Sequence, residues 1–186
     1  MKNFIILTDY HRGSYEIIGN LFQNTLQQFG VVRNLPTPVS LKERRDLDLR
    51  FKGGIVFHNT LGDQFIPIKN CYNIALPHHE WSKYPKNWIK RLNKFDEVWT
   101  TTEHIMNLLI KCGLKVPCFN LPPALDTEKI TTKSNFNISK KPRFLAIGEP
   151  HFRKGHHLLM QGFMKTFPEV GKALLTIKTS PSCEWE

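Results

Sequence analysis

The feature that most constrains the fold of this chain is the regular alternation of short apolar runs with longer amphipathic segments. The segments 2–8, 31–35 and 55–58, in which apolar residues are the majority, have the length of strands. Between the first two, apolar side chains recur at helical spacing: Ile18, Leu21, Phe22, Leu26 and Phe29. Strands and helices that alternate in this way predict parallel β-α-β units with right-handed crossovers.

Further apolar runs extend the same pattern towards residue 121. They predict strands at 72–76, 97–101 and 116–121, with helices around Trp88 and over 105–112. Ser14 is a plausible N-cap of the first helix, and Gly30 is placed where its C-terminal cap belongs. The pattern predicts a Rossmann-like α/β domain over residues 1–128, in which helices cover both faces of a parallel sheet.

The pattern restarts after a polar stretch at 129–142, which is rich in Thr, Lys, Ser and Asn and is predicted to be a linker. A strand at 143–147, a helix at 154–167 and a strand at 173–177 then form one more β-α-β unit. The segment 143–186 is short for an independent core. We therefore expect it to be the incomplete start of a second Rossmann-like domain, in a chain that is a truncated form or a natural fragment of a two-domain protein.

Composition excludes several classes of protein. Hydrophobic residues make up 40% of the 186 residues, which is enough for a packed core. The longest apolar runs fall far short of the roughly 18 residues that a membrane-spanning helix needs, and no signal-peptide cleavage site is present. These features predict a cytoplasmic protein. No C-x-x-C spacing links the four cysteines, so no metal site is expected.

The net charge of +10 is concentrated in the last third of the chain. Residues 129–178 contain ten Lys and Arg and two Glu. Such a field favours an anionic partner, either a phosphorylated small molecule, nucleic acid or an anionic membrane surface. No helix-turn-helix or aromatic-rich RNA motif is present, so specific nucleic-acid binding is not expected. A non-catalytic basic module for nucleic acid or an anionic membrane is the alternative to an enzyme.

Two loops follow predicted strands of the first domain, at the sheet edge where open α/β sheets bind ligands. The loop at 9–14 contains Arg12 and Gly13 but lacks G-x-G-x-x-G, and a turn glycine is the simpler interpretation of Gly13. The second loop contains His78, His79 and Glu80, which combine imidazoles with a carboxylate suited to proton transfer. A polar loop with a structural hydrogen bond is the alternative.

A third loop, at 148–155, joins a predicted strand to a helix in the second module. It contains Gly148, Arg153 and Lys154. Free backbone N–H groups and the helix dipole bind phosphate at such positions, and the two basic side chains add charge. A solvated first turn with incidental basic residues is the alternative. No G-x-x-x-x-G-K-[ST] or G-x-S-x-G motif is present, which argues against P-loop enzymes and hydrolases.

Three segments, in this order, resemble the retaining "group 1" glycosyltransferases, which have two Rossmann-like domains in the GT-B fold. The first is PHHEW at 77–81 with YPKNW at 84–88, similar to an aromatic and glutamate stretch of that family. The second is FDEVWTTT at 95–102. The third is FLAIG at 144–148, followed by Arg-Lys-Gly at 153–155 and two leucines at 158–159. The resemblance spans about residues 70 to 165.

The resemblance implies transfer of a sugar from a nucleotide-sugar to an acceptor hydroxyl, with retention and without a metal or other cofactor. It implies that Gly148, Arg153 and Lys154 bind the donor diphosphate. His79 and Glu80 would act at the catalytic centre, where one of them orients the acceptor or the sugar.

The resemblance also implies that the loop with Arg12 and Gly13 approaches the acceptor or the donor phosphates. The expected acceptor is a carbohydrate or a lipid-linked carbohydrate, which allows peripheral contact with an anionic membrane. The E-x7-E carboxylates of the family lie farther along the second domain than residue 186. We therefore expect no turnover from this chain alone, and self-association or docking on a completing chain.

Overall fold

The computed structural model describes residues 2–9, 13–79, 81–122, 130 and 141–179. The chain divides into two compact units, Met1–Thr127 and Glu128–Glu186. The strands are β1 Lys2–Thr8, β2 Gly30–Pro36, β3 Ile55–Asn59, β4 Tyr72–Ala75, β5 Glu97–Thr100, β6 Cys118–Asn120, β7 Arg143–Ile147 and β8 Leu174–Lys178. The helices are α1 Gly13–Leu26, α2 Leu41–Arg50, α3 Lys86–Leu92, α4 Glu103–Lys111 and α5 His156–Thr166.

The first unit is built on a six-stranded sheet with the order β2-β1-β3-β4-β5-β6. Every neighbouring pair is parallel. The central strands are apolar on both sides, as a sheet covered on both faces requires: Ile5, Ile6 and Leu7 are all buried. This architecture confirms the predicted Rossmann-like α/β fold.

The helices divide between the two faces because the chain reverses direction across the sheet. The connection from β1 to β2 runs one way and places α1 over Phe4, Ile6 and Phe57. The connection from β2 to β3 runs the other way, and α2 packs through Leu47 on the opposite face, beside Val56. The helices α3 and α4 pack on that same face. The reversal creates a topological switch point between β1 and β3, where ligands of open α/β sheets bind.

Two local predictions at the first helix are wrong. Ser14 lies inside α1, which begins at Gly13. Gly30 does not cap α1, because the helix ends at Leu26 and Gly30 is the first residue of β2. A β-carbon at position 30 would collide with the carbonyl oxygen of Lys2 on the paired strand. Close approach of β1 and β2, rather than helix termination, therefore explains the glycine.

The second unit consists of the parallel pair β7 and β8 with α5 between them in sequence. An aromatic group formed by Phe144, Phe163 and Phe167 packs α5 against β7. The helix begins at His156, two residues later than predicted. The preceding residues Phe152–Lys154 form a separate 3₁₀ turn, and Gly155 has a φ of 69°, which interrupts the helical path.

No helix in the described ranges combines the length and the apolar composition needed to cross a bilayer. Most of the predicted linker, 129 and 131–140, lies outside the described residues.

Candidate functional site

The carboxyl edge of the six-stranded sheet carries buried polar side chains at the switch point. Thr8 is the last residue of β1 and Asn59 is the last residue of β3, and the two are paired in the register of these strands. Both are fully buried, and Asp9 beside them is nearly so. Burial of polar groups is costly unless they are hydrogen-bonded, so the partners of these groups reveal how the edge is organised.

The hydrogen bonds of Asn59 fix the orientation of its amide. The Asn59 Nδ2 atom donates to the carbonyl oxygen of Tyr15, in the first turn of α1, at 2.6 Å. A carbonyl oxygen accepts only, so the other amide atom, Oδ1, faces His78 Nε2 at 3.1 Å. Because Oδ1 also accepts only, Nε2 must carry the imidazole proton. The amide thereby selects the tautomer of His78.

This tautomer leaves the second ring nitrogen of His78, Nδ1, as a hydrogen-bond acceptor. Among the described residues, none donates to it. The Tyr15 ring packs edge-on against the imidazole, with the centroids 5.0 Å apart. Burial lowers the pKa of His78 to about 4, since the charged imidazolium is poorly solvated there. His78 is therefore a neutral acceptor at pH 7, held in one orientation at the sheet edge.

The neighbouring His79 belongs to an aromatic cluster, which we define as His79, Trp81, Tyr84 and Trp88. The His79 ring lies edge-on to all three aromatic rings, at centroid distances of 5.6, 4.7 and 6.5 Å. Its Nε2 atom donates to the carbonyl oxygen of Lys83 at 2.7 Å. Burial, with a smaller contribution from Tyr15, raises the pKa of Tyr84. Trp81 is 67% exposed.

The aromatic cluster has a rigid base. Trp88 lies against Gly62, where a β-carbon would overlap the indole ring. Tyr84 is buried and packs edge-on against Trp88 at 5.5 Å. The exposed ring of Trp81 is thus supported by fixed neighbours. The fixed acceptor of His78 and the aromatic cluster that begins at the next residue together suit a ligand that presents both hydroxyl groups and C–H faces.

The loop after β7 brings together Gly148, Lys154 and His156. A β-carbon at position 148 would lie 3.6 Å from His156 Nε2 and 4.0 Å from Lys154 Cδ. The Gly148 N–H donates to the Lys178 carbonyl at 3.1 Å, which fixes the end of β7 to β8. Arg153 and Lys154 are exposed and lie in the 3₁₀ turn. They were predicted at the N-terminus of α5. In the structure they precede this helix, and Gly155, which has a left-handed conformation, lies between the turn and the helix.

The other predicted site residues have different outcomes. Arg12 and Glu80 lie outside the described residues. Gly13 is the first residue of α1, and a β-carbon there would meet no atom within 4 Å. The segments that follow β1 and β4 emerge at the same edge of the sheet, because all strands are parallel.

Sequence reasoning did not single out Asn59 or Tyr15, nor the position of His156 beside Gly148. Asn59 had a recognisable feature, since it is a polar residue directly after the apolar run 55–58 and thus at a carboxyl edge. Tyr15 participates through its carbonyl oxygen and the edge of its ring, and no sequence pattern predicts contacts of either kind.

The described residues contain no group of three His, Cys, Asp or Glu side chains arranged to hold a metal ion. Cys71, Cys112 and Cys118 are free thiols of intermediate burial. A scan against protein-family models and a search of curated proteins found no match to this chain.

Proposed function

We propose that this chain is part of a retaining glycosyltransferase, in which the first unit binds the acceptor and the second unit binds the diphosphate of a nucleotide-sugar. The observation that carries the proposal is that two consecutive residues, His78 and His79, supply an imidazole oriented by Asn59 at the switch point and a member of the aromatic cluster. The resemblance of three segments to GT-B enzymes agrees with this assignment. No specific nucleic-acid partner and no metal enter the reaction as proposed.

The chemistry of the first unit matches that of a carbohydrate. A sugar has apolar C–H faces, which pack on aromatic rings such as Trp81, and hydroxyl groups, which need oriented partners. The free acceptor nitrogen of His78 would receive a hydrogen bond from the acceptor hydroxyl and orient it. With a pKa of about 4, His78 stays neutral and keeps this lone pair available at pH 7. His79 and Glu80 keep their predicted role beside the transferred sugar.

The chemistry of the second unit matches that of a leaving diphosphate. Charge develops on the diphosphate as the bond to the sugar breaks, and fixed positive groups stabilise it. Arg153 and Lys154 lie in the turn between Gly148 and α5, where the helix dipole adds to their charge. Donor binding would therefore depend on these two side chains rather than on the overall field of the protein.

The test of the donor site compares two double variants that remove the same net charge. Arg153→Ala with Lys154→Ala changes the turn before α5, whereas Lys165→Ala with Lys172→Ala changes the opposite end of the same unit. We expect calorimetry with uridine, guanosine and adenosine diphosphates to show about tenfold weaker binding for the first variant, because charge-assisted hydrogen bonds are lost. The control variant should bind like the wild type.

Equal weakening in both variants would contradict the donor site, as would unchanged affinity in the first. In either case the basic-module alternative gains support. Titrations with duplex DNA and with anionic lipid vesicles then identify its partner, since binding through a general positive field falls steeply with salt.

A further inference from the structure

We propose that His156 is a ligand-binding residue, whose Nε2 atom hydrogen-bonds a phosphate oxygen held above Gly148 at the N-terminus of α5. The assignment of this phosphate to the diphosphate of a donor rests on the proposed function. The oxyanion site itself rests on three features of the second unit.

The first feature is a buried imidazole without a partner. His156 is 6% exposed, and its Nδ1 atom is buried with no hydrogen-bond partner among the described residues. An unsatisfied buried polar atom destabilises a fold, and an apolar side chain of similar size would avoid this cost. Stability therefore does not explain why an imidazole occupies this position.

The second feature is the open space next to the other ring nitrogen. Nε2 lies 3.6 Å from the place where a β-carbon of residue 148 would be, and Gly148 has none. Gly148 does not need a glycine for backbone reasons, because it is not among the residues with positive φ. The missing side chain leaves room beside Nε2, where an oxygen atom can approach.

The third feature is the uncapped start of α5. Gly155 has no side chain to cap the helix. The N–H groups of Gly155 and Leu159 have backbone partners, whereas the three N–H groups between them, at 156–158, have none in the described part of the chain. Together with the helix dipole, these donors favour a negatively charged ligand. Lys154, next to Gly148, adds a positive charge.

The experiment uses three single variants of the full chain, with inorganic pyrophosphate as the probe. His156→Leu removes the donor and the unsatisfied atom, His156→Gln retains an N–H donor near the position of Nε2, and Gly148→Ala fills the open space. Pyrophosphate affinity is measured by calorimetry, and stability by thermal unfolding followed through NMR signals of α5.

We expect His156→Leu to bind pyrophosphate about tenfold more weakly while the second unit remains at least as stable as in the wild type. His156→Gln should retain most of the affinity. Gly148→Ala should weaken binding without a loss of stability, because the added methyl group lies at ordinary contact distance from the imidazole. Opposite changes in affinity and stability are the signature of a binding residue.

Unchanged affinity in His156→Leu would overturn the proposal, and so would equal losses in His156→Leu and His156→Gln. If the Arg153 and Lys154 variant weakens nucleoside diphosphate binding but His156→Leu does not, only this inference fails. If pyrophosphate binding depends on His156 but no nucleoside diphosphate binds better than pyrophosphate, the oxyanion site stands and the glycosyltransferase proposal fails. Absence of any pyrophosphate binding to the wild type overturns the inference.

Discussion

At the scale of single residues, Asn59 determines what His78 can do. Its amide connects the carbonyl oxygen of Tyr15 to the imidazole, and the direction of both hydrogen bonds follows from the fact that a carbonyl only accepts. One buried amide thus links the first turn of α1 to the segment that follows β4. It also leaves His78 with a single free nitrogen, which can only accept.

The role of Asn59 can be tested by changing its chemistry but not its size. In Asn59→Asp, the carboxylate lies beside His78 Nε2, and an opposite charge at that distance stabilises the imidazolium. We expect the pKa of His78 to rise from about 4 to its ordinary 6.5 or above. The fold should lose about 1–3 kcal/mol, because the Tyr15 carbonyl loses its donor. NMR titration of the histidines gives the pKa, and urea denaturation gives the stability.

The internal control is His58, which precedes Asn59 in β3 and faces the opposite side of the sheet. Its hydrogen bond is to Asn73, at 2.9 Å. A His78 pKa that stays near 4 in Asn59→Asp would show that Asn59 does not hold the imidazole as described. An equal change in both histidines would point to a general effect of the added charge.

The sequence predicted the position of this site better than its chemistry. The two histidines after β4 were placed correctly at the carboxyl edge. The adjacent positions 78 and 79 make different contacts, one with Asn59 and the other with the aromatic cluster. Both outcomes depend on residues distant in sequence. A local pattern therefore predicts that the loop is polar, but not which side chain faces which partner.

At the scale of elements, α1 is held close to β1 by a glycine. A β-carbon at Gly19 would lie 2.5 Å from Thr8 Oγ1, closer than a carbon and an oxygen can approach. Thr8 has no freedom to move away, since it is fully buried and donates to Asn34 Oδ1 at 2.8 Å. This contact brings the N-terminal turn of α1, including Tyr15, over the switch point.

We expect Gly19→Ala to destabilise the first unit by about 1–3 kcal/mol, which is the usual cost of overpacking a core. The matched control is Gly162→Ala, in the middle of α5, where a β-carbon meets no atom within 4 Å. That change should stabilise α5 by about 0.5–1 kcal/mol, because alanine is the better helix former. Chemical denaturation followed through NMR signals of each unit separates the two effects. Stabilisation by Gly19→Ala would contradict the close contact.

Element types followed from the sequence, whereas some element ends did not. Segments rich in apolar residues correctly predicted every strand in the described part of the chain. In the central strands β1 and β3 these residues are buried between two helical layers, whereas most of β7 and β8 is exposed. Gly30 and Gly155 were harder to interpret. The first is required by contact with Lys2, and the second by a positive φ between a 3₁₀ turn and a helix. A glycine in a sequence does not reveal which of these reasons applies.

At the scale of the whole molecule, the strand order of the first unit creates the candidate site. The chain leaves β1 in one direction and returns to β3 on its other side, so α1 and α2 lie on opposite faces and the connections after β1 and β3 diverge at this edge of the sheet. The parallel alternation predicted this type of sheet. It did not predict that a fully buried histidine, His58, would lie on the α2 face.

His58 is fully buried, and packs edge-on against Phe95 at 4.8 Å. Its Nε2 atom donates to Asn73 Oδ1, because the Asn73 Nδ2 atom is occupied by the carbonyl oxygens of Ile68 and Cys71. Burial, opposed in part by this hydrogen bond, lowers the pKa of His58 to about 4. With His78, the first unit therefore holds two imidazoles that resist protonation while the protein is folded.

These imidazoles predict how stability depends on pH. A histidine with a folded pKa of about 4 and an unfolded pKa of 6.5 binds its proton more readily when unfolded, so its stabilising effect is complete above pH 6.5 and is lost as the pH falls to 4. For His58 the loss should reach about 3 kcal/mol. Urea denaturation from pH 7 to pH 4, followed through NMR signals of β3, measures this loss.

Two variants identify the group responsible. His58→Gln, which keeps a donor to Asn73, should lose less stability over this range than the wild type, whereas His104→Gln, on the exposed side of α4, should follow the wild type. Parallel curves for His58→Gln and the wild type would show that His58 is not the group that resists protonation.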